Sequence, residues 1–180
     1  MTYSEILQIF TGCIASLFFG ILFNVRGKKL VFATLGGFLS WTLFVLFKFL
    51  TPDDALRYFF VAVLITLYAE IFARVLKTPT TTFIMTSLIP LIPGGSLYYT
   101  MSALLEGNST GFLEKAIYTL SLAGALALGI VLTNAVVKMI TVFLEQRKKK
   151  KSVSGAVTFD ENEKARGKKK KAPFSGRIEK

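Results

Sequence analysis

Apolar residues along this chain gather into five long blocks, at about 6–23, 30–50, 56–76, 83–105 and 116–144, and polar residues are concentrated in the short stretches between them. Short strands and the amphipathic stripes of a soluble helical domain both make a different pattern. Each block reaches or exceeds the ~18–20 residues that an α-helix, rising about 1.5 Å per residue, needs to cross a hydrocarbon layer roughly 30 Å thick. The pattern predicts an all-α polytopic membrane protein with five transmembrane helices. The first block is not expected to be a secretory signal, because no basic residue precedes it and its apolar run exceeds the ~7–15 residues of a signal core.

Charge changes the picture at one end only. The 180 residues carry 22 Lys+Arg against 11 Asp+Glu, a net +11 that would suit a nucleic-acid-binding domain. Residues 1–145 hold a net +2, however, and residues 146–180 hold a net +9. We therefore expect a transmembrane domain over 1–145 and a cytoplasmic, disordered basic tail over 146–180. The runs Arg147-Lys148-Lys149-Lys150-Lys151 and Lys168-Lys169-Lys170-Lys171 suit topogenesis and attraction to anionic lipid of the bilayer, at about 1 kcal/mol per basic residue near the surface. Nucleic acid is not an expected partner, since only Phe159 and Phe174 are interleaved with these charges.

The short connections set an expected direction. Arg26, Lys28 and Lys29 lie between the first two blocks and Arg74 and Lys77 between the third and fourth, while Asp53 and Asp54 with Arg57, then Glu106 and Glu114 with Lys115, occupy the alternate connections. Basic residues are retained on the cytoplasmic side, so the N-terminus is expected outside and the C-terminus inside, in the plasma membrane. Asn108-Ser109-Thr110 fits a glycosylation sequon on the outer side.

Chemistry is sparse. With one Cys and no His, the chain lacks the commonest metal ligand and general base, and hydrolases built on a Ser/His or Cys/His pair are excluded. No cofactor is expected and the chain does not read as an enzyme. Two helix faces do expect company: Gly12, Ser16, Gly20 and Asn24 recur at i+4 in the first block, and Ser121, Ala125 and Gly129 repeat that spacing in the fifth. Small residues let helix backbones approach closely in lipid. Internal packing and a homo- or hetero-oligomeric interface both satisfy such faces.

The most informative stretch is Ile89-Pro90-Leu91-Ile92-Pro93-Gly94-Gly95-Ser96-Leu97-Tyr98-Tyr99. Pro90 and Pro93 each remove an amide donor and clash with the preceding turn, and Gly94 and Gly95 add no helical reinforcement, so the fourth helix is expected to break over residues 90–95. Counting from Phe83, the break lies about ten residues or roughly 15 Å into the span, near the midplane. Freed backbone groups cannot face lipid, and discontinuous helices present such groups to solutes in secondary transporters. Ser96, Tyr98 and Tyr99 supply hydroxyls beside the break, as do Thr86 and Ser87; a proline kink with capped carbonyls is the structural alternative. Glu70 is the acidic residue deepest in a span, and an ionisable group there is a functional candidate. Arg74 follows one turn later, so an i,i+4 ion pair competes with that reading.

Ala69-Glu70, Ala73-Arg74, Pro79, Phe83 and the Ile89-Pro90-Leu91-Ile92-Pro93-Gly94-Gly95 run with Tyr98 or Tyr99 resemble the core signature of the threonine/serine exporter family, in particular its short five-helix subunit. Phe23-Asn24-Val25 before a basic turn is similar to the first connection of that subunit. The resemblance implies secondary-active export of small polar metabolites, threonine- or serine-like amino acids or short dicarboxylates, in company with a larger membrane subunit. It makes Glu70, Arg74, Pro90, Pro93, Gly94, Gly95, Ser96, Tyr98, Tyr99 and Asn24 the candidates for substrate binding or gating. A non-transporting membrane scaffold is the competing class, and an intramembrane enzyme a third, for which the spans lack acidic pairs that could hold a metal.

Overall fold

The computed structural model describes residues 3–170, with side chains through residue 147 except at 145. Six α-helices occupy it: α1 (Tyr3–Leu22), α2 (Lys28–Phe47), α3 (Asp54–Val75), α4 (Thr80–Leu88), α5 (Gly94–Leu105) and α6 (Ser109–Lys170), with a 3₁₀ turn at Ile89–Leu91 between α4 and α5. Four stretches are long and apolar enough to cross a membrane singly: α1, α2, α3 and Ser109–Leu144 within α6. The fifth is the bent pair Thr80–Leu91 and Gly94–Leu105, whose halves meet at 55°. With that pair taken as one span, the helices match the five expected, and the break falls in the fourth.

Local chemistry sets the boundaries between elements. After α1 the backbone enters the left-handed region at Asn24 (φ 59), and Val25 N–H returns to the Gly20 carbonyl at 2.9 Å. Asn tolerates that conformation better than most residues, and the motif satisfies carbonyls that the helix end leaves open. Asp53 caps α3 by accepting from Ala55 N–H at 2.9 Å. Asn108 does the same for α6, its side-chain oxygen accepting from Gly111 N–H at 2.9 Å and from the Thr110 hydroxyl at 3.1 Å. The sequon asparagine thus has a structural task as a helix cap.

Within residues 1–137, one of two compact units, α4 is the central element, contacted by α1, α2 and α3. Phe83 is fully buried in a cluster with the small residues Ala33, Ala69 and Ala73, and Leu88 and Leu91 join Tyr58, Val61, Ile65 and Leu122. Close approach replaces the hydrophobic drive that lipid removes. Gly12, Ser16 and Gly20 of the expected small-residue face are all buried; Gly12 receives Pro90, and Ser16 lies directly against Gly37 of α2. On α6, Gly129 is buried against the Phe59 carbonyl and Ala62, while Gly124 stands in open space. Internal packing occupies most of the first face and the Gly129 end of the second.

The second unit covers 138–180. Residues 146–170 form the last part of α6. Lys, Arg, Glu and Ala have high intrinsic helix propensity. The Arg147 guanidinium lies 5.2 Å from the Phe143 ring centroid. The side chains on which lipid attraction would depend, at 148–151 and 168–171, lie outside the described ones.

Candidate functional site

The break divides its span evenly. Thr80–Leu91 supplies 12 residues before it and Gly94–Leu105 supplies 12 after it, each about 18 Å of helix. Pro90 is anchored: a Cβ placed on Gly12 of α1 would lie 3.4 Å from the Pro90 Cβ, so the proline fills the space that glycine leaves. Ile92 is extended (φ −60, ψ 123), and Pro93 precedes α5 with no side chain available to cap it.

Backbone accounting at this point is incomplete in an instructive way. Gly94 N–H reaches the Ile92 carbonyl at 2.7 Å and Leu97 N–H the Pro93 carbonyl at 3.1 Å, but the amides of Gly95 and Ser96 have no acceptor among the described residues. Gly94 and Gly95 are exposed, and a Cβ on either would meet nothing within 4 Å. The helix start therefore holds unspent N–H groups, carrying partial positive charge, beside two exposed glycines halfway along an apolar span. Hydrocarbon cannot satisfy such groups, each costing several kcal/mol.

The hydroxyls flanking the break divide into two sets. Thr86 Oγ1 donates to the Thr82 carbonyl at 2.8 Å, and Ser87 Oγ lies 3.5 Å from the Ala33 carbonyl of α2. These two are committed to packing. Tyr98 and Tyr99, by contrast, are 69% and 60% exposed, each one turn after an exposed glycine, Gly94 or Gly95, and Lys115 Nζ lies 5.9 Å from the Tyr99 ring centroid. Thr100 and Thr119 hydroxyls meet at 3.1 Å and tie α5 to α6.

The other sequence candidates lie elsewhere. Glu70 and Arg74 form an i,i+4 pair at 3.4 Å on α3, with the Glu70 side chain 17% exposed and that of Arg74 52% exposed. Asn24 caps α1 and its side-chain oxygen accepts from Arg26 Nε at 2.8 Å. Near Asn24, a cavity of about 290 Å³ is lined by Phe23, Thr81, Thr82 and Met85. The break residues are thus contiguous, whereas the side-chain bonds of Glu70 and Asn24 among the described residues run to Arg74 and Arg26.

Arg57 is the residue that sequence reasoning placed wrongly in kind. It was grouped with a connection, yet it lies in the first turns of α3 and is 8% exposed. Its guanidinium pairs with Asp54 and lies 5.3 Å from the Phe44 ring centroid. The signal was available: Asp54 and Arg57 are spaced i,i+3 at the start of a block, which suits a pair on one helix face. Asp54 also accepts from the Tyr118 hydroxyl of α6, and Lys48 of α2 pairs with Glu5 of α1 at 2.9 Å. These contacts collect Glu5, Lys48, Asp54 and Arg57 at one end of the bundle.

A set of membrane-length helices around a span broken at mid-length, with unspent amides at the break, defines a polytopic membrane protein of the transporter type. The chain belongs to the threonine/serine exporter family: the sequence profile of the family described as Threonine/Serine exporter, ThrE, matches residues 8–136. That range runs from the first turns of α1 through the break and well into α6. No curated protein and no solved structure matches the chain.

Proposed function

We propose that the chain is one subunit of a secondary-active exporter that carries small polar metabolites, threonine- or serine-like amino acids or short dicarboxylates, out through the plasma membrane, with the N-terminus outside. The observation that carries this reading is the uncapped start of α5: Gly95 and Ser96 amides without acceptors among the described residues, beside exposed glycines at the middle of a span. A carboxylate is a fitting occupant for helix-start amides, which favour negative charge. Pro90, Pro93, Gly94, Gly95, Ser96, Tyr98 and Tyr99 would form the binding or gating element. A larger membrane subunit of the same family would cover the open side, because lipid is a poor neighbour for that backbone.

The test is efflux from vesicles loaded with threonine, serine or a dicarboxylate and reconstituted with this chain plus a larger family subunit. Efflux that needs both chains is the expected result. Flux unchanged when this chain is omitted would return it to the scaffold class.

Glu70 and Arg74 belong to the proposal as groups bordering the pathway toward the end that carries Arg26, Lys28, Lys29 and Lys77. In a chain without His, Glu70 is the natural carrier of a coupled proton. Glu70→Gln is expected to lower efflux severalfold and to flatten its pH dependence. Full rate with unaltered pH dependence would leave the pair at 3.4 Å as a structural clip and nothing more.

A further inference from the structure

The start of α2, the end of α3 and the start of α4 meet at one end of the bundle. Ala33 of α2, Ala73 of α3 and Phe83 of α4 pack in one buried cluster. The last turn of α1 joins them, since a Cβ on Gly20 would meet Leu30 of α2 and Thr86 of α4. Arg26 in the turn after α1, Lys28 at the first position of α2 and Lys77 after α3 are exposed at this end, and Lys29 is half-buried. Residues 6–52 contain no acidic residue, and residues 55–105 contain only Glu70, which Arg74 holds at 3.4 Å. The positive charge here is therefore unbalanced.

The cavity of about 290 Å³ lined by Phe23, Thr81, Thr82 and Met85 lies among the same elements. Its walls divide by chemistry. Phe23 and Met85 are exposed apolar side chains, and Phe19 extends that wall along α1, its ring centroid 6.1 Å from that of Phe23. Thr81 and Thr82 bring hydroxyl donors in the first turn of α4. Arg26 follows Phe23 by three residues in a turn closed by the Val25 N–H bond to the Gly20 carbonyl, and Lys77 precedes Thr81 by four. Long cationic side chains at such positions lay their stems along apolar surface and carry their charge to the headgroup level.

A phospholipid is the ligand whose parts match these walls: an anion for the cations, ester and phosphate oxygens for the hydroxyls, and hydrocarbon for Phe23 and Met85. We propose that this end of the bundle binds one anionic glycerophospholipid, its headgroup among Arg26, Lys28, Lys29 and Lys77 and an acyl chain against Phe23 and Met85. Each basic residue near a membrane surface raises affinity for anionic lipid by about fivefold, and the cavity gives that attraction a fixed place. The site belongs to the folded helices rather than to the basic tail, and it does not depend on the exporter reading.

The test is native mass spectrometry of the full chain in uncharged micelles, titrated with phosphatidylglycerol or with phosphatidylcholine of the same chain length. Micelles present this end equally whichever way the chain was inserted. One phosphatidylglycerol per chain is expected to be retained, with affinity about tenfold or more above that of phosphatidylcholine. Lys28→Gln combined with Lys29→Gln should weaken it by about tenfold or more, two charges at roughly fivefold each. Lys77→Gln, on a different element, serves if that pair fails to fold. Thr81→Trp keeps every charge but puts bulk into the cavity from an exposed position, and should weaken binding comparably. Lys149→Gln combined with Lys150→Gln removes two tail charges instead and should leave binding unchanged. Equal retention of the two lipids overturns the site, as does unchanged binding in the Lys28 and Lys29 pair or in Thr81→Trp. Loss confined to the tail pair moves the attraction to the tail and overturns it too. Glycerophosphate displacing the lipid at equal concentration would mean a phosphate site that makes no use of Phe23 and Met85, and would end the lipid assignment.

Discussion

Gly37→Ala is expected to destabilise the bundle by about 1–3 kcal/mol, whereas Gly124→Ala is expected to leave it unchanged or gain up to about 1 kcal/mol. The two changes are chemically identical and differ only in surroundings. A Cβ on Gly37 would overlap the Ser16 hydroxyl and Cβ, and Ser16 is fully buried, so it has nowhere to swing. A Cβ on Gly124 meets nothing within 4 Å. In lipid the close approach of α1 and α2 is itself the source of cohesion, and a methyl group that forces them apart loses dispersion contacts along the whole seam.

The same contact predicts a rescue. Ser16→Gly placed in the Gly37→Ala background transfers the missing side chain from one helix to the other, and should recover most of the loss. Coupling of about 0.5–3 kcal/mol is typical of residues in direct contact. SDS-titrated unfolding followed by far-UV circular dichroism measures all four species. Additive effects, or Gly37→Ala indistinguishable from Gly124→Ala, would mean that the α1–α2 seam is not as tight as the geometry describes.

Gly37 also shows where the sequence was and was not legible. Block length gave five spans, and Pro90, Pro93 and the glycine pair gave the break, because both depend on local covalent facts: helix rise, a missing amide, an absent Cβ. Gly12, Ser16 and Gly20 announced a close-packed face, but not its partner. The partner, Gly37 of α2, went unread because its neighbour Gly36, which faces Ser87 of α4 and Tyr68 of α3, is adjacent to it and the two do not form an i+4 ladder with each other. Set in register with Ala33 and Ser40 they do continue a small-residue stripe, all four buried. Which helix meets which is a tertiary fact, and periodicity on one helix is silent about it.

Side-chain direction was likewise hidden. Thr86 and Ser87 stood beside the break as candidates on the same footing as Tyr98 and Tyr99, yet the first two bond carbonyls at the bundle centre and the last two are exposed. A hydroxyl near a break can face either way, and only packing decides. Arg57 presents the complementary case, since hydropathy assigns a charged residue at a block edge to the connection. Pairing with Asp54 and stacking on Phe44 lowers the cost of drawing it into the helix bundle.

Gly95→Leu is expected to abolish most solute flux while leaving the fold intact, with efflux from vesicles containing both subunits falling by about tenfold or more, the loss of at least 1.4 kcal/mol of interaction with the solute. The separation of the two effects follows from the geometry. Gly95 is exposed, its φ is not in the left-handed region, and no atom lies within 4 Å of the Cβ it lacks, so the substitution strains nothing and replaces a poor helix former with a good one at the start of α5. The added isobutyl group, however, covers the Gly95 and Ser96 amides that stand without acceptors. A pathway that uses those amides loses its donors and part of its width together. A scaffold with no pathway gains only a slightly firmer helix. Gly27→Leu is the opposite control, because Gly27 lies in the left-handed region at φ 64, where a branched side chain is strained. Stability should fall there, and any loss of flux should track the loss of folded protein. Normal flux through well-folded Gly95→Leu vesicles would show that solute does not pass the start of α5, and the broken span would then be a packing device around Pro90 and Gly12 rather than a transport element.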